Sequence, residues 1–324
     1  MKTTKKIVSL AIVLLFAAAM VFANGNTEAS SEKTTYKVGI CQLVQHAALD
    51  QATQGFIDAL TEEFGDSVTF DNQNASGDAA TVTTIINGLV SSNVDLILAN
   101  ATLPLQTAAA STADIPILGT SITHYGVALD MDLTEDGATG INVSGTSDLA
   151  PLDRQADMIT ELFPDVKNVG LLYCSAEPNS VFQIQEVEKY LDAKGVNHTR
   201  FSFTDSSDVS AVTAAACQEA DVIYIPTDNT AASCTEAIRN VVEPAKVPVI
   251  AGEEGICAGC GVATLSISYY DLGYTTGKMA VDILKNGADI STMPVQYAPN
   301  VTKKYNAELC QILGVEIPSD YVEI

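Results

Sequence analysis

Two apolar segments of this chain end abruptly in small polar residues. Leu96–Ala99 is followed by Asn100, and Val222–Ile225 is followed, after a proline and a threonine, by Asp228. A short apolar run that stops at a polar loop is typical of a buried parallel strand whose carboxyl end opens toward the next helix. Ligands of open α/β sheets bind beyond such strand ends. The two runs therefore predict two α/β lobes whose polar strand ends face one cleft.

Strand-like and helix-like patterns alternate along the rest of the chain. This alternation predicts parallel sheets with right-handed crossovers and helices on both faces. We expect strands at residues 36–43, 68–72, 95–100, 168–173, 196–203, 221–225 and 247–251. We expect helices at residues 47–64, 78–91, 180–193, 208–216, 231–242 and 271–285, and a further helix that Ser147 and Asp148 cap and that ends at Phe163.

The chain is long enough for two domains, each with its own core. We predict an α/β fold with two doubly wound parallel-sheet lobes joined by a three-strand hinge. Lobe 1 is assigned to residues 34–120 plus 268–293, and lobe 2 to residues 121–267 plus 294–324. Bending of three crossing strands would open and close the cleft without breaking either core.

The first 23 residues have the pattern of an export signal. Three lysines precede the apolar run Ile7–Phe22, and small residues stand near Ala23. We predict a signal peptide at residues 1–23, a flexible polar segment at residues 24–33 and a periplasmic location. A lipid anchor is not expected, because no Cys follows the apolar run. An uncleaved N-terminal membrane anchor remains the alternative.

The chain is strongly acidic, with 16 Lys+Arg against 40 Asp+Glu and a formal net charge of −24. A surface of this charge repels phosphate backbones and anionic lipid headgroups. We therefore expect no nucleic acid and no membrane surface among the partners. Most of the charge is ascribed to solubility.

The sequence contains seven Cys, so at least one thiol is unpaired. Most of them lie in apolar patterns, where Cys behaves as a small hydrophobic residue. Cys257 and Cys260 have the spacing of a short-loop disulfide, a redox pair or half of a metal site. A second Cys pair or a nearby His is missing, so no metal is expected, and the disulfide stays an open alternative.

Motifs of common enzyme classes are missing from the sequence. It has no glycine-rich phosphate loop, dinucleotide fingerprint, zinc-protease histidine pair or Gly-x-Ser-x-Gly elbow. The adjacent acids Glu253 and Glu254 could form an acid/base pair, but a solvated turn before Gly255 is favoured. We therefore predict a protein that is not an enzyme and has no cofactor. His46 and His124 follow strand ends, where each could contact a ligand.

Several segments resemble, in order, the pattern of one family. They are residues 41–50, 100–102, 147–148, 173–175, 179–180, 226–230 and 271–278. This pattern is similar to that of substrate-binding components of ABC importers of the tryptophan/tyrosine type, which have the type I periplasmic-binding-protein fold. The resemblance spans essentially residues 34–315. Two departures stand out: Ala47 replaces a usual Pro, and Ser121–Tyr125 replaces a segment that commonly carries an Asp-Pro pair.

The resemblance implies capture of a small amino-acid-like solute between the lobes and its handover to an ABC permease and ATPase. An aromatic or large apolar amino acid is the leading expectation for the ligand. A nucleobase or a sugar remains an alternative, as does a sensor that works with a separate membrane receptor. A monomer is expected.

Such a zwitterionic ligand needs three kinds of contact. Its carboxylate suits hydroxyls and N–H groups at helix N-termini, its ammonium suits buried carboxylates, and its side chain suits an apolar or aromatic wall. Each Asp and Ser in the predicted site could instead cap a helix. The candidates are Ser121, Thr123, Thr102 and Ser147 for the carboxylate, Asp148 and Asp228 for the ammonium, and Tyr125, Leu49 and Tyr173 for the wall. The other predicted site residues are Gln42, His46, Asn100, Ala101, Asn179, Ser180, Asn229 and Glu253.

Overall fold

The computed structural model describes residues 35–298 and 300–324. The predicted signal peptide and the polar segment after it lie outside these residues. Within the described ranges, no helix combines the length and the apolar character needed to cross a bilayer. The chain there forms two separate β-sheets with helices packed around each.

The first sheet is parallel throughout. Its strands in the described chain are β1 (Tyr36–Gln42), β2 (Val68–Asn74), β3 (Leu96–Asn100), β4 (Ile117–Ile122), β5 (Val143–Ser147) and β11 (Gln296–Tyr297). They lie in the order β11-β5-β4-β3-β1-β2, and every neighbouring pair runs parallel. Apolar clusters cover both faces, as expected for a parallel sheet buried between helices.

The second sheet is mostly parallel. Its strands in the described chain are β6 (Asn168–Cys174), β7 (Asn197–Phe203), β8 (Val222–Ile225), β9 (Val249–Ala251), β10 (Ala263–Ser266), β12 (Thr302–Tyr305) and β13 (Val322–Glu323). They lie in the order β13-β12-β10-β9-β8-β6-β7. β12 pairs antiparallel with β10, and the other neighbours run parallel. Two further apolar clusters cover its faces.

Helices connect most of the strands. In the described ranges they are α1 (Ala47–Phe64), α2 (Ala79–Ser91), α3 (Thr102–Ser111), α4 (Tyr125–Leu129), α5 (Leu152–Leu162), α6 (Pro178–Lys194), α7 (Val209–Glu219), α8 (Asn229–Ser233), α9 (Thr235–Ala245), α10 (Glu254–Cys260), α11 (Tyr269–Asn286) and α12 (Ala307–Leu313). Short 3₁₀ turns occupy Gly65–Ser67 and Ile290–Thr292.

The predicted fold class is confirmed, since two mostly parallel sheets each have helices on both faces. The apolar runs at β1, β3, β6 and β8 form strands as expected. The predicted cap of α2 is also present, because the Asp78 carboxylate accepts a hydrogen bond from Thr81 N at 2.7 Å.

The predicted boundary between the lobes differs from the sheet topology. Residues 121–147 were assigned to lobe 2, but β4 extends to Ile122 and β5 pairs with β4 in the first sheet. β5 has the sequence Val-Ser-Gly-Thr-Ser, which lacks the apolar run that marks the other buried strands. Ser147 therefore ends a strand instead of capping a helix, and α5 begins only at Leu152.

Three connections run between the sheets, at residues 148–151, 267–268 and 298–301. The first lobe comprises residues 36–147 and 269–297, and the second lobe residues 152–266 and 302–324. α11 belongs to the first lobe, where it packs along α1. This contact depends on Gly273, because a Cβ there would collide with the Ala52 carbonyl group.

Candidate functional site

A small cavity of about 10 Å³ lies between the two lobes at the carboxyl ends of their strands. This volume has room for about one water molecule. Nine predicted site residues line this central cavity: His46, Leu49, Ser121, Thr123, Asp148, Asn179, Asp228, Asn229 and Glu253. Thr227, Ala232 and Tyr269 also line it and were not among the predicted site residues.

A larger cavity of about 430 Å³ adjoins the central one and also has walls from both lobes. The first lobe contributes residues around Leu43 and Thr102, and the second contributes residues around Glu177. Asn179 and Asn229 line both cavities, so the two spaces adjoin at these residues. We call this larger cavity the mouth of the cleft.

Three residues that line the central cavity each have a buried polar atom without a hydrogen-bond partner. These atoms are His46 Nδ1, Ser121 Oγ and Asp148 Oδ1. In the described chain only two other buried side-chain atoms lack a partner, Asn100 Oδ1 and Thr264 Oγ1, and neither residue lines this cavity. Leaving a buried polar atom unpaired costs about 1–3 kcal/mol, so three in one place indicate a site built for a polar partner.

Asp148 lies in the first connection between the lobes and is 3% exposed. Tyr269, the first residue of α11, donates its hydroxyl hydrogen to Asp148 Oδ2 at 2.9 Å. This bond links the first connection to the start of α11, directly after the second connection. Burial raises the pKa of the Asp148 carboxyl, while the hydrogen bond from the Tyr269 hydroxyl partly offsets that rise. The remaining oxygen, Oδ1, is the unpaired acceptor.

Glu253 is buried at the start of α10, with 2% of its surface exposed. Its carboxylate caps this helix by accepting hydrogen bonds from Gly255 N at 2.6 Å and from Ile256 N. The predicted solvated turn is therefore wrong, because the side chain turns back onto the helix terminus and lines the cavity. Burial raises the pKa of Glu253 to about 7.

Asp228 is also buried, and both of its carboxylate oxygens are hydrogen-bonded to backbone. Oδ1 accepts from Ala231 N at 2.8 Å and so caps α8, while Oδ2 accepts from Cys174 N at 2.6 Å at the end of β6. Burial, with the nearby charge of Glu177, raises the pKa of Asp228 to about 8. Asp228 thus caps α8, as the sequence allowed, and also lines the central cavity.

The cavity is acidic. Asp148, Asp228 and Glu253 line it, and none of the described lining residues is Lys or Arg. A buried carboxylate without a cation is costly, which is why burial raises all three pKa values. A bound cation would compensate these charges.

Few polar contacts join the lobes directly across the cleft. His46 Nε2 lies 3.3 Å from Asn229 Oδ1, and Gln183 Nε2 donates to Thr123 Oγ1 at 3.5 Å. Nearby, the ring of His124 packs against Phe182 of α6 with 4.8 Å between ring centroids. His124 also caps α4 by accepting from Val127 N at 3.2 Å. The histidines after two strand ends thus contact the opposite lobe, and their predicted contact with a ligand stays a prediction.

The backbone at the site is locally strained. Ser121 adopts a left-handed conformation with φ of 56°, at an irregularity in the pairing of β4 with β5. Bulges of this kind redirect side chains next to functional sites. Ala101, which precedes α3, has φ of 98° and lies in the core of the first lobe.

The other predicted site residues lie outside the central cavity. Asn100 is fully buried and supports α1, because its Nδ2 donates to Leu49 O at 2.8 Å and to Thr53 Oγ1. Gln42 binds Asp50 and Thr53 in the same region. The remaining predicted residues contact other groups. Thr102 lines the mouth, Ser147 donates to Thr123 O, and Ser180 accepts from Asn179. Tyr125 donates to Gly119 O in the first core, and Tyr173 lies in the second core.

The cysteines described by the structure are free thiols. Cys257 and Cys260 are both buried in α10, where burial raises the pKa of each thiol. In the described ranges, no group of three or more His, Cys, Asp or Glu residues is arranged to hold a metal ion.

Comparison with known proteins places this geometry in a family. Residues 37–323 match the family model described as ABC transporter substrate binding protein. The chain is 34% identical over 305 residues to a tyrosine-binding protein of Clostridioides difficile (strain R20291), covering 90% of this chain and 87% of that protein.

Two solved structures are similar to the whole described fold. A Streptococcus pneumonia ABC domain in complex with L-Trp is 32% identical with a TM-score of 0.84, covering 88% of this chain and 96% of that one. The ligand-free, open structure of a substrate binding protein with adhesive properties from Clostridium difficile is 34% identical with a TM-score of 0.68, covering 90% and 99%. The chain therefore belongs to the family of ABC transporter substrate binding proteins.

Proposed function

We propose that this protein captures an aromatic or large apolar α-amino acid between its lobes and delivers it to an ABC permease and ATPase for import. The observation that carries this proposal is the acidic central cavity, with its three unpartnered polar atoms and no lining Lys or Arg among the described residues. An amino acid supplies the cation that such a cavity lacks.

The ligand's ammonium group binds Asp148 in this proposal. Asp148 Oδ1 is a buried acceptor without a partner, and an ammonium hydrogen bond to it would be charge-assisted. Because Asp148 lies in a connection and its other oxygen is held by Tyr269, the ligand would bind where the lobes pivot. Binding and closure are then coupled at one carboxylate.

The carboxylate and the side chain of the ligand have separate partners. The hydroxyls of Ser121 and Thr123 line the cavity and can donate to a carboxylate. Leu49, Ala232 and the ring of Tyr269 provide apolar surface in the same cavity. Since these residues come from both lobes, with Tyr269 of α11 in the first lobe, one ligand would contact both lobes at once.

Since the cavity has room for about one water molecule, the lobes must part before an amino acid enters, and the lining side chains must move apart to hold it. Relatives support this view: the TM-score is 0.84 to the L-Trp complex and 0.68 to the ligand-free, open structure, although sequence identity is 32% and 34%. We attribute the difference to the arrangement of the lobes. The ligands of these relatives, tryptophan and tyrosine, support an aromatic amino acid here.

The free energies involved are moderate. Micromolar binding corresponds to about 8 kcal/mol, and shifting a hinge from about 1:99 to 99:1 uses about 5.5 kcal/mol of differential affinity. Contacts with both lobes are needed to supply that difference, because a ligand that binds one lobe stabilises the open and closed forms equally.

Calorimetric titration of the unfolded and refolded protein tests the proposal. We expect binding of L-tryptophan or L-tyrosine, and at least tenfold weaker binding of indole-3-propionate and 3-(4-hydroxyphenyl)propionate, which lack only the ammonium. Binding of a nucleobase or a sugar in preference to every amino acid would refute the ligand class. Chemical conversion of the bound ligand, followed by mass spectrometry, would refute a pure binding role.

Export and assembly are part of the same proposal. We infer that the protein is exported through residues 1–23 and works in the periplasm as a monomer. Cell fractionation with a truncation of residues 1–23 tests this, because the truncated form is expected to stay in the cytoplasm.

A further inference from the structure

The Asn229 side chain is oriented by Glu177 of the same lobe. The Glu177 carboxylate accepts from Asn229 N at 3.0 Å and from Asn229 Nδ2 at 2.7 Å. It also accepts from Thr230 N and Thr230 Oγ1. Because an ionised carboxylate offers only acceptors, the amide nitrogen of Asn229 must face Glu177. The amide oxygen, Oδ1, is therefore directed at His46.

The Asn229 oxygen in turn selects the tautomer of His46. Asn229 Oδ1 lies 3.3 Å from His46 Nε2, and an amide oxygen can only accept, so His46 Nε2 carries the proton. Burial lowers the pKa of His46, which favours the neutral ring. His46 Nδ1 is then a lone-pair acceptor, and it is one of the three buried atoms without a partner at the cavity.

His46 and Asp148 line the same cavity and are held by different partners. His46 contacts Asn229, which also lines the mouth of the cleft, whereas Asp148 is bonded to Tyr269 between two inter-lobe connections. A ligand whose ammonium group binds Asp148 in this cavity can reach His46 with its side chain. The group that meets Nδ1 there must be a hydrogen-bond donor.

We propose that His46 Nδ1 accepts a hydrogen bond from an N–H or O–H on the ligand's side chain, so that His46 selects tryptophan or tyrosine against phenylalanine. This inference rests on the proposed function, since it assumes an aromatic amino acid in the cavity. Glu177 and Asn229 are positioning residues that act through the tautomer of His46.

Paired ligands that differ by one donor test the inference. L-tyrosine and L-phenylalanine differ only in the hydroxyl, and L-tryptophan and 3-benzothienyl-L-alanine differ in the ring N–H. For the wild-type protein we expect the donor ligand to bind about tenfold more tightly or better in at least one pair, because the other ligand leaves Nδ1 unpaired. In His46→Leu that ratio is expected to fall to about threefold or less.

NMR of the ring nitrogens reports which nitrogen of His46 is protonated and whether Nδ1 responds to the ligand. A purely structural role of His46 would give no such response. The chain has three His, so single substitutions at His124 and His198 assign the resonances. We expect His46 to be protonated at Nε2 and unprotonated at Nδ1, and the Nδ1 resonance to shift with the donor ligand but not with its partner. In Asn229→Ala, which removes the oxygen that fixes the tautomer, we expect a mixture of tautomers.

The outcomes separate the two proposals. If amino acids bind but neither donor ligand is preferred, or the preference survives in His46→Leu, the role of His46 is refuted and the proposed function stands. Equal weakening of tyrosine and phenylalanine in His46→Leu would place the ammonium group at His46 and likewise refute the inference. If no amino acid binds the wild-type protein, the proposed function fails and this inference with it. Should His46→Leu not fold, the ligand pairs and the NMR of the wild-type protein decide.

Discussion

Replacing Asp148 by Asn tests two effects of this carboxylate separately. One is the effect of its burial on the stability of the ligand-free protein, and the other is its contribution to the free energy of ligand binding. The substitution keeps the shape of the side chain and removes its charge. Asp148 is 3% exposed, and its burial raises the carboxyl pKa, so ionisation of this group is less favourable in the ligand-free folded protein than in water. We therefore expect the melting temperature of the ligand-free variant to be unchanged or higher.

The effect on binding has the opposite sign. At an effective dielectric constant of about 20, a carboxylate and an ammonium about 4 Å apart attract by about 4 kcal/mol. Removing one partner of a buried ion pair costs about 3–5 kcal/mol. The lower limit corresponds to at least hundredfold weaker binding of L-tryptophan or L-tyrosine, since each tenfold step is about 1.4 kcal/mol.

Isothermal titration measures the affinity and thermal denaturation measures the stability. Asp130→Asn is the matched control, because Asp130 is exposed and its left-handed backbone suits Asn. This control makes the same change in net charge and should keep the wild-type affinity within about twofold. An affinity of Asp148→Asn within threefold of the wild type would refute the assignment of the ammonium to Asp148.

Three further predictions concern the buried acids and thiols. Asp228→Ala should lower the free energy of unfolding by about 1–3 kcal/mol in chemical denaturation, because it removes the cap of α8 and the bond to Cys174 N; an unchanged midpoint contradicts this. A carboxyl whose pKa is higher in the folded than in the unfolded chain binds its proton more tightly when the chain is folded. The pKa is raised in this way to about 8 for Asp228 and to about 7 for Glu253. Stability of the ligand-free protein should therefore decrease as the pH rises from 5 to 8, and Asp228→Asn should flatten that slope in urea titrations; a slope of the same size in the variant argues against this cause. Alkylation of the denatured, unreduced protein should modify both Cys257 and Cys260, as free thiols require; a mass lacking two alkyl groups would instead indicate a disulfide.

The fold could be predicted where local patterns are strong. The apolar runs at β3 and β8 mark buried strands; β3 ends at Asn100, and Thr227 and Asp228 follow shortly after β8. β5 could not be found in this way, because a strand of small and polar residues relies on its neighbours for burial and shows no apolar period. Because β5 was not predicted, the sequence analysis ended the first segment of lobe 1 at residue 120, whereas the first sheet continues to Ser147.

Part of the site was predictable because the carboxyl ends of parallel strands lie at one edge of the sheet. Residues at the carboxyl end of a strand, such as Ser121, or in the loop after one, such as Asp228, follow from topology alone. Tyr125 and Tyr173 belong instead to the two cores, because sequence does not reveal which face of a loop or strand end a ring occupies. Tyr269 was missed since α11 was expected to begin two residues later, at Asp271.

Unpaired atoms are invisible in the sequence. The contact of His46 with Asn229 joins residues 183 positions apart, and the lack of a partner at Nδ1 appears only when the surrounding shell is assembled. The role of Glu177 in holding Asn229 is of the same kind.

A crystal structure of the protein with bound L-tryptophan or L-tyrosine tests the central claim most directly. We predict the ligand between the lobes, with its ammonium nitrogen about 2.7–2.9 Å from Asp148 Oδ1 and with contacts to residues of both lobes. A ligand seated on one lobe alone, or with its ammonium group remote from Asp148, would contradict the account.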